Sequence, residues 1–226
     1  PLILGEYRQA FLNSNLILDL GFTEGYKNTS QTKKSGSKSH IFAKFVKSFT
    51  GENEAESNLE LTLQNVSNDK YLKLYRLNTN LVDYQNDVTE NSLDFTHENE
   101  DYFFGATASV YETLKDNYND KYEYILPDLY FDTNLFNNIK YGTADFSSNV
   151  KIHNYDTNKF SKFFVNDIKW KSFSTNYLKN FDGHFLGQIK NVNYEAKNIS
   201  IYKRDTTSEV FGAIGYLSEI QLYKKN

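Results

Sequence analysis

Apolar and polar residues take turns along most of this chain, and that period of two constrains the fold more than any other feature. In YFFGATASVYETL (102–114), Phe104, Ala106, Ala108 and Val110 fall on one side. Gly105, Thr107, Ser109, Tyr111 and Thr113 fall on the other. Successive side chains of a β-strand point to opposite faces, so this is a strand with one apolar face. The alternation recurs in LILDLGFTEGY (16–26), HIFAKFVKSF (40–49), NLELTLQ (58–64), YGTADFSSNVKIH (141–153), FDGHFLGQIK (181–190) and VFGAIGYLSEIQLY (210–223). Phe42 and Val46 break the polar side of the second of these. Helical periodicity is weak throughout. The pattern predicts roughly eleven strands of about ten residues, longer than the ~5–6 usual in soluble sheets.

An apolar face must touch a protein core or lipid. No apolar run approaches the ~18 residues of a membrane-spanning helix, but a membrane-spanning strand needs only ~9–11 alternating ones. Aromatics make up 16% of the 226 residues. They gather at strand ends (Tyr26, Phe49, Tyr102, Tyr122, Tyr155, Phe181, Tyr223), as in interfacial girdles. Connections alternate in character. NSN (13–15), HENED (97–101) and TNLFNN (133–138) are compact, whereas 27–38, 67–90 and 195–209 are long and polar. YDTNK (155–159) is short where the scheme wants a long link. Short turns at one end and long loops at the other form the outer-membrane barrel pattern. With only 2 Pro and 11 Gly, the turns must rely on Asn, Asp, Ser and Lys. No domain boundary or strict repeat is visible, so residues 1–226 read as a single region of a barrel domain. A chain without Met that opens at Pro1 in strand-like sequence reads as an excised fragment.

Several chemistries are excluded. There is no Cys, hence no thiol nucleophile, disulfide or Cys-ligated zinc. A net charge of -4 with no long basic run argues against nucleic acid. His40, His97, His153 and His184 lack metal-ligand spacing and read as solvated or luminal, with His97 in a tight turn. No phosphate-binding glycine loop or nucleophile elbow occurs. Neither a cofactor nor a metal is expected, and no enzyme activity. Pro127 cannot donate to a ladder and predicts a bulge in the strand YEYILPDLYF (122–131). Trp170, the lone Trp, reads as an interfacial anchor. KNTSQTKKSGSK (27–38) has four lysines and no acid; it is either a solvated loop or one facing anionic headgroups.

Four stretches resemble the barrel domain of the outer-membrane lipopolysaccharide-assembly family LptD, the organic solvent tolerance proteins. LGEYRQAFLNSNLILDLGFTEGY (4–26) resembles its early hairpin, and LELTLQNVSNDKYLKLYRL (59–77) its strand running into a V-S-D-x-x-Y-L/F-x-D loop. YEYILPDLYFD (122–132) resembles its strand with an internal Pro, and FGAIGYLSEIQLYKKN (211–226) a later strand. Leu74 stands where the family loop has its second Asp. The family's periplasmic domain, its cysteines, and the end strands forming its lateral gate are not in this chain. The resemblance implies a role in placing lipopolysaccharide in the outer leaflet of the cell outer membrane, without covalent chemistry. It implies as partners lipopolysaccharide, outer-membrane lipids, a lipoprotein plug of the LptE type, and periplasmic bridge components reached through the missing domain.

The expected fold is therefore all-β: an antiparallel up-and-down segment of an incomplete transmembrane barrel. Leu18, Leu20, Phe45, Leu61, Phe104, Val110, Phe146, Ile152, Phe185 and Ile214 are expected on its convex, lipid-facing side. Asp19, Lys44, Glu60, Thr107, Asp145, Lys151, Asp182 and Lys190 are expected on the concave side. Arg8, Lys44, Lys151, Lys169 and Lys190 are the candidate luminal cations for a phosphorylated saccharide, and Glu6 shares a face with Arg8. The competing expectation is that these cations merely pair with carboxylates such as Asp19, Asp145 and Asp182. Two other functions remain open. A soluble or surface-anchored β-sandwich binding glycan or protein would bury its apolar faces between two sheets. An outer-membrane phospholipase-type enzyme would need a Ser–His pair, which no stretch singles out.

Overall fold

The computed structural model describes residues 1–24, 36–51, 54–115, 120–156, 158–178, 181–203 and 206–220. The strands in chain order are β1 (Leu2–Ala10), β2 (Ser14–Thr23), β3 (Lys38–Thr50), β4 (Glu56–Val66), β5 (Val88–Glu98), β6 (Tyr102–Thr113), β7 (Tyr122–Asn138), β8 (Gly142–Tyr155), β9 (Lys159–Lys171), β10 (Thr175–Leu178), β11 (Phe181–Lys197) and β12 (Thr207–Ile220). One short helix, α1 (Tyr71–Tyr75), lies between β4 and β5. All strands form one antiparallel up-and-down sheet that does not close on itself, as expected of an incomplete barrel. The four-residue β10 continues the line of β9 along the same edge of β11, leaving eleven long strands.

The tight turns use the residues that composition demanded. The side chain of Asn99 accepts from the backbone N–H groups of Asp101 and Tyr102 at 2.9 and 2.8 Å. Asn138 does the same for Lys140 at 2.8 Å. At Gly142, φ is +89° and a Cβ would lie 2.1 Å from the Lys171 carbonyl oxygen, so only glycine fits. The compact link expected at 133–138 belongs instead to β7, whose turn is 139–141. A register shift between Asn134 and Phe136 disguises the strand as turn sequence. Pro127 sits where expected: Leu126 and Pro127 oppose the single residue Ala108 of β6, forming a bulge.

Directly opposed residues of a ladder share a face, so the register divides the sheet. The rung Glu60–Asp94–Thr107–Asp128–Lys151 lies on one face. The neighbouring Leu61–Leu93–Ala108 rung lies on the other. Every residue expected on the convex side falls on the apolar face, and every residue expected on the concave side on the polar face. Small polar residues are shielded on the polar face (Ser109 2%, Ser161 5%), while Leu61 (44%) and Ile214 (82%) stand open on the apolar one. A sheet with that asymmetry is bent around its polar face. On the outside, Tyr102, Phe131 and Phe146 follow one another with ring centroids 5.8 and 6.3 Å apart, and Phe185 meets Tyr216 at 4.9 Å. Phe49 and Tyr122 are also outward, but Tyr155 lies on the polar face, stacked on His153. Tyr26, Tyr223 and the Phe181 side chain lie outside the described set. So do residues 27–35 of the lysine-rich loop. The outer face is not uniformly apolar. Ser148, Asn166, Asn191 and Asn193 interrupt it, with Ser148 donating to Asn166 and Asn193 to Asn191 at 2.9 and 2.5 Å.

The segment 67–87, expected as a long polar loop, supplies the principal hydrophobic core. Tyr71, Leu72, Leu77 and Val82 pack with Phe42, Val66 and Leu114. Phe42, Val66 and the neighbouring His40 belong to the polar face, so the segment folds inward. Phe42 breaks the polar pattern of β3 because it is the seat of this segment. Leu72 is 1% exposed, and truncating such a side chain costs ~2–5 kcal/mol. We expect Leu72→Ala to make residues 67–87 cleavable under native conditions while the sheet keeps its circular dichroism; limited proteolysis with mass spectrometry checks this.

Candidate functional site

The polar face carries the candidate residues, and the register decides their partners. Lys151 lies directly opposite Asp128 and bonds it at 3.0 Å; Lys190 lies opposite Asp167, 3.8 Å away. Lys44 reaches diagonally to Glu60 at 2.6 Å. Arg8 bonds Glu6, two residues back on its own strand, at 2.6 Å. Asp167 is further held by Gln188, whose amide donates to both carboxylate oxygens at 2.8 Å. Asp94 accepts from Thr107 at 2.8 Å, and His153 meets Glu123 at 2.7 Å. These half-exposed pairs contribute ~0.2–1 kcal/mol each. They cancel charge locally, whereas Asp94, Asp132 and Asp145 on the same face accept from the neutral donors Thr107, Tyr130 and Asn134. Among the described residues Lys169 has no carboxylate within ion-pair distance; its ladder neighbours are Asp145 and Gln188, and Asp145 accepts from Asn134 at 2.7 Å. Asp182 shares this face, opposite Glu219.

At the long-loop end the inward segment is locked by a buried chain of polar groups. His40, expected to be solvated or luminal, is on the polar face but 4% exposed. Its Nε2 stands 3.3 Å from an Asp19 oxygen and its Nδ1 3.1 Å from the Tyr71 hydroxyl. Its ring stacks on Phe42 at 4.3 Å. Gly21 lies opposite His40 in the ladder, and a Cβ there would fall 2.2 Å from the imidazole. Further clamps surround the segment. Lys121 binds both Asp69 oxygens at 2.8 and 2.6 Å, which raises its amine pKa, and Lys73 binds Asp87, whose carboxyl is lowered by that bond. Where β4 and β5 diverge, the Gln64 and Asn91 side chains replace ladder bonds. Glu90 N–H donates to Gln64 Oε1 at 2.9 Å, Gln64 N–H to Asn91 Oδ1 at 3.0 Å, and Gln64 Nε2 to the Leu81 carbonyl at 2.9 Å.

One feature escaped sequence reasoning. His97 is in β5, not in a turn, and its Nδ1 is 2.7 Å from the Ser57 hydroxyl on the outer face. The two are direct ladder partners, a fact that only the register supplies. A serine hydrolase also needs a group orienting the base and oxyanion donors; no hydrogen bond to His97 Nε2 occurs among the described residues. Trp170, singled out in the sequence as an anchor, points outward, and its indole N–H donates to the Tyr141 carbonyl at 2.7 Å. Among the described residues no group of three or more His, Cys, Asp or Glu could hold a metal. No protein-family model matches the chain, and no curated protein is significantly similar to it.

Burial in the clasp raises the Tyr71 phenol above the ordinary tyrosine value. A group whose pKa is raised on folding stabilises fully below its unfolded value, about 10, and that contribution is lost as pH rises through the folded value. The clasp is therefore expected to open under alkaline conditions, above about pH 10. Hydrogen exchange of 67–87 should increase there in the wild type and show a weaker rise in Tyr71→Phe.

Proposed function

We propose that this chain is a wall segment of an outer-membrane β-barrel that places lipopolysaccharide in the outer leaflet, the role of the LptD family it resembles. The observation that carries the reading is the division of one long-stranded sheet into an exposed apolar face and a polar face carrying half-exposed ion pairs. All strands belong to one sheet, so the apolar face has no second sheet to cover it, as a soluble sandwich would provide. Strands such as the 13-residue β3 exceed the ~9–11 residues that cross a bilayer. In this reading the saccharide headgroup moves along the polar wall. Its phosphates exchange with the carboxylates that hold Lys44, Lys151 and Lys190, and no single cation is essential because passage needs weak, multiple sites. The inward segment 67–87 narrows the path at the long-loop end.

Photocrosslinkers at Lys44, Lys151 or Lys190 in the full-length protein, in cells making lipopolysaccharide, are expected to capture it, and those at Phe45, Phe146 or Phe185 are not. Capture only from the outward positions would contradict the conduit. The facing itself predicts that Phe146→Arg near the bilayer midplane costs ~2–4 kcal/mol in a membrane-folding assay. Ser147→Arg should be tolerated, because Asp132 and Asp167 are its ladder neighbours.

A further inference from the structure

On the polar face the last rungs of β9, β11 and β12 depart from the ion-paired pattern. Lys169 and Lys171 are two residues apart on β9 and so on one face, about 6.6 Å apart along the strand. Among the described residues neither has a carboxylate within ion-pair distance, whereas Arg8, Lys44, Lys151 and Lys190 on the same face each have one. Beside them the wall turns apolar. Lys171 is opposite Leu186, which is opposite Gly215; Lys169 is opposite Gln188, which is opposite Ala213. These six residues border one groove of about 390 Å³. The small residues make it: a Cβ added at Gly215 would meet nothing within 4 Å. Phe211 and Leu217 extend the apolar strip along the inner face of β12, both half-exposed. Asp145, opposite Lys169 in the ladder, also lines the groove and keeps its negative charge, the neutral Asn134 amide donating to it.

Two cations outside any ion pair among the described residues, facing a single groove carboxylate and an apolar trough, match a molecule with a compact anionic group joined to a hydrocarbon chain. We infer that this groove binds a phosphate-monoester lipid, its phosphate on Lys169 and Lys171 and its chain along Leu186, Ala213 and Gly215. A phosphate monoester offers several oxygens to two ammonium groups at this spacing, and charge-assisted bonds of that kind are the strong ones. The chain supplies apolar burial that a free anion lacks. The inference deepens the proposed lipopolysaccharide reading and rests on it for its biological setting. It places a hydrocarbon-binding surface on the inner wall, where that reading alone calls only for polar contacts.

Native mass spectrometry of the full-length protein in maltoside micelles tests it, with oleoyl lysophosphatidic acid as probe. Expected is a one-to-one adduct that weakens at least about tenfold in the double variant Lys169→Gln/Lys171→Gln. Gly215→Leu should weaken it comparably by filling the trough, while Lys47→Gln, on the outer face of β3, should leave it unchanged. Oleoyl lysophosphatidylcholine, with the same chain and a zwitterionic head, should bind at least about tenfold more weakly. Equal binding of the choline lipid, or retention by the double lysine variant, overturns the assignment of the head. Retention by Gly215→Leu, or equal protection by inorganic phosphate alone, overturns the assignment of the chain. Failure here with lipopolysaccharide still captured from Lys44, Lys151 or Lys190 would refute the groove and leave the conduit. Binding here without that capture would refute the conduit and leave the groove.

Discussion

Antiparallel backbone pairing forces directly opposed residues onto the same face, and everything else in this molecule follows from that. Along β2, β3 and β4 the ladder sets Leu18 beside Ala43 and Leu63, and Asp19 beside Phe42 and Gln64. A slip of one residue in any pair would carry a whole set of leucines and phenylalanines across the wall. The bulge at Pro127 shows how the constraint is kept. The extra residue on β7 is absorbed locally, and Asp128 still meets Lys151 on the polar face. A second shift, between Asn134 and Phe136, is absorbed in the same way near the β7–β8 turn.

On the polar face the ladder decides what electrostatics can do. Opposed strands bring Lys151 to Asp128 and Lys190 to Asp167, so those charges are spent within the wall. Lys169 and Lys171 stand outside any ion pair among the described residues, beside an apolar groove of that face, while Asp94, Asp132 and Asp145 take only neutral donors. At the other end the segment 67–87 turns inward, and its apolar residues find the one large apolar side chain that β3 presents there, Phe42. The Asp19–His40–Tyr71 chain fixes that docking, and it requires Gly21 because the imidazole occupies the space of a side chain. Core burial and polar lining are thus properties of the same face, in different places along it.

Strand identity and facing were legible because they depend on a local period: Phe146 and Lys151 could be placed from their neighbours in sequence. Partners were not, because pairing depends on register. Asp19 and Asp145 read as suitable for the lysines but are taken by His40 and Asn134, while Glu60, Asp128 and Asp167 hold the cations. The Ser57–His97 contact was invisible for the same reason, the two residues being forty positions apart in sequence. The core segment was misread because Tyr71, Leu72, Leu77 and Val82 follow neither a strand nor a helix period over any length. Phe42, noted as an exception in an otherwise alternating strand, was the signal that pointed to it. Of the candidate site, the cations themselves were legible; which of them stand outside an ion pair was not.

The most direct test of the two-faced wall exploits the absence of cysteine from the chain. Single cysteines placed in turn at residues 144–152 of β8 can carry spin labels in a bilayer-reconstituted protein in which any cysteine outside residues 1–226 is replaced by serine. Accessibility to oxygen, which concentrates in lipid, should peak at Phe146, Val150 and Ile152. Accessibility to a water-soluble nickel chelate should peak at Asp145, Ser147, Asn149 and Lys151. A two-residue oscillation with those opposite phases is the predicted result. Equal aqueous accessibility along the strand, or the reverse phase, would contradict the account.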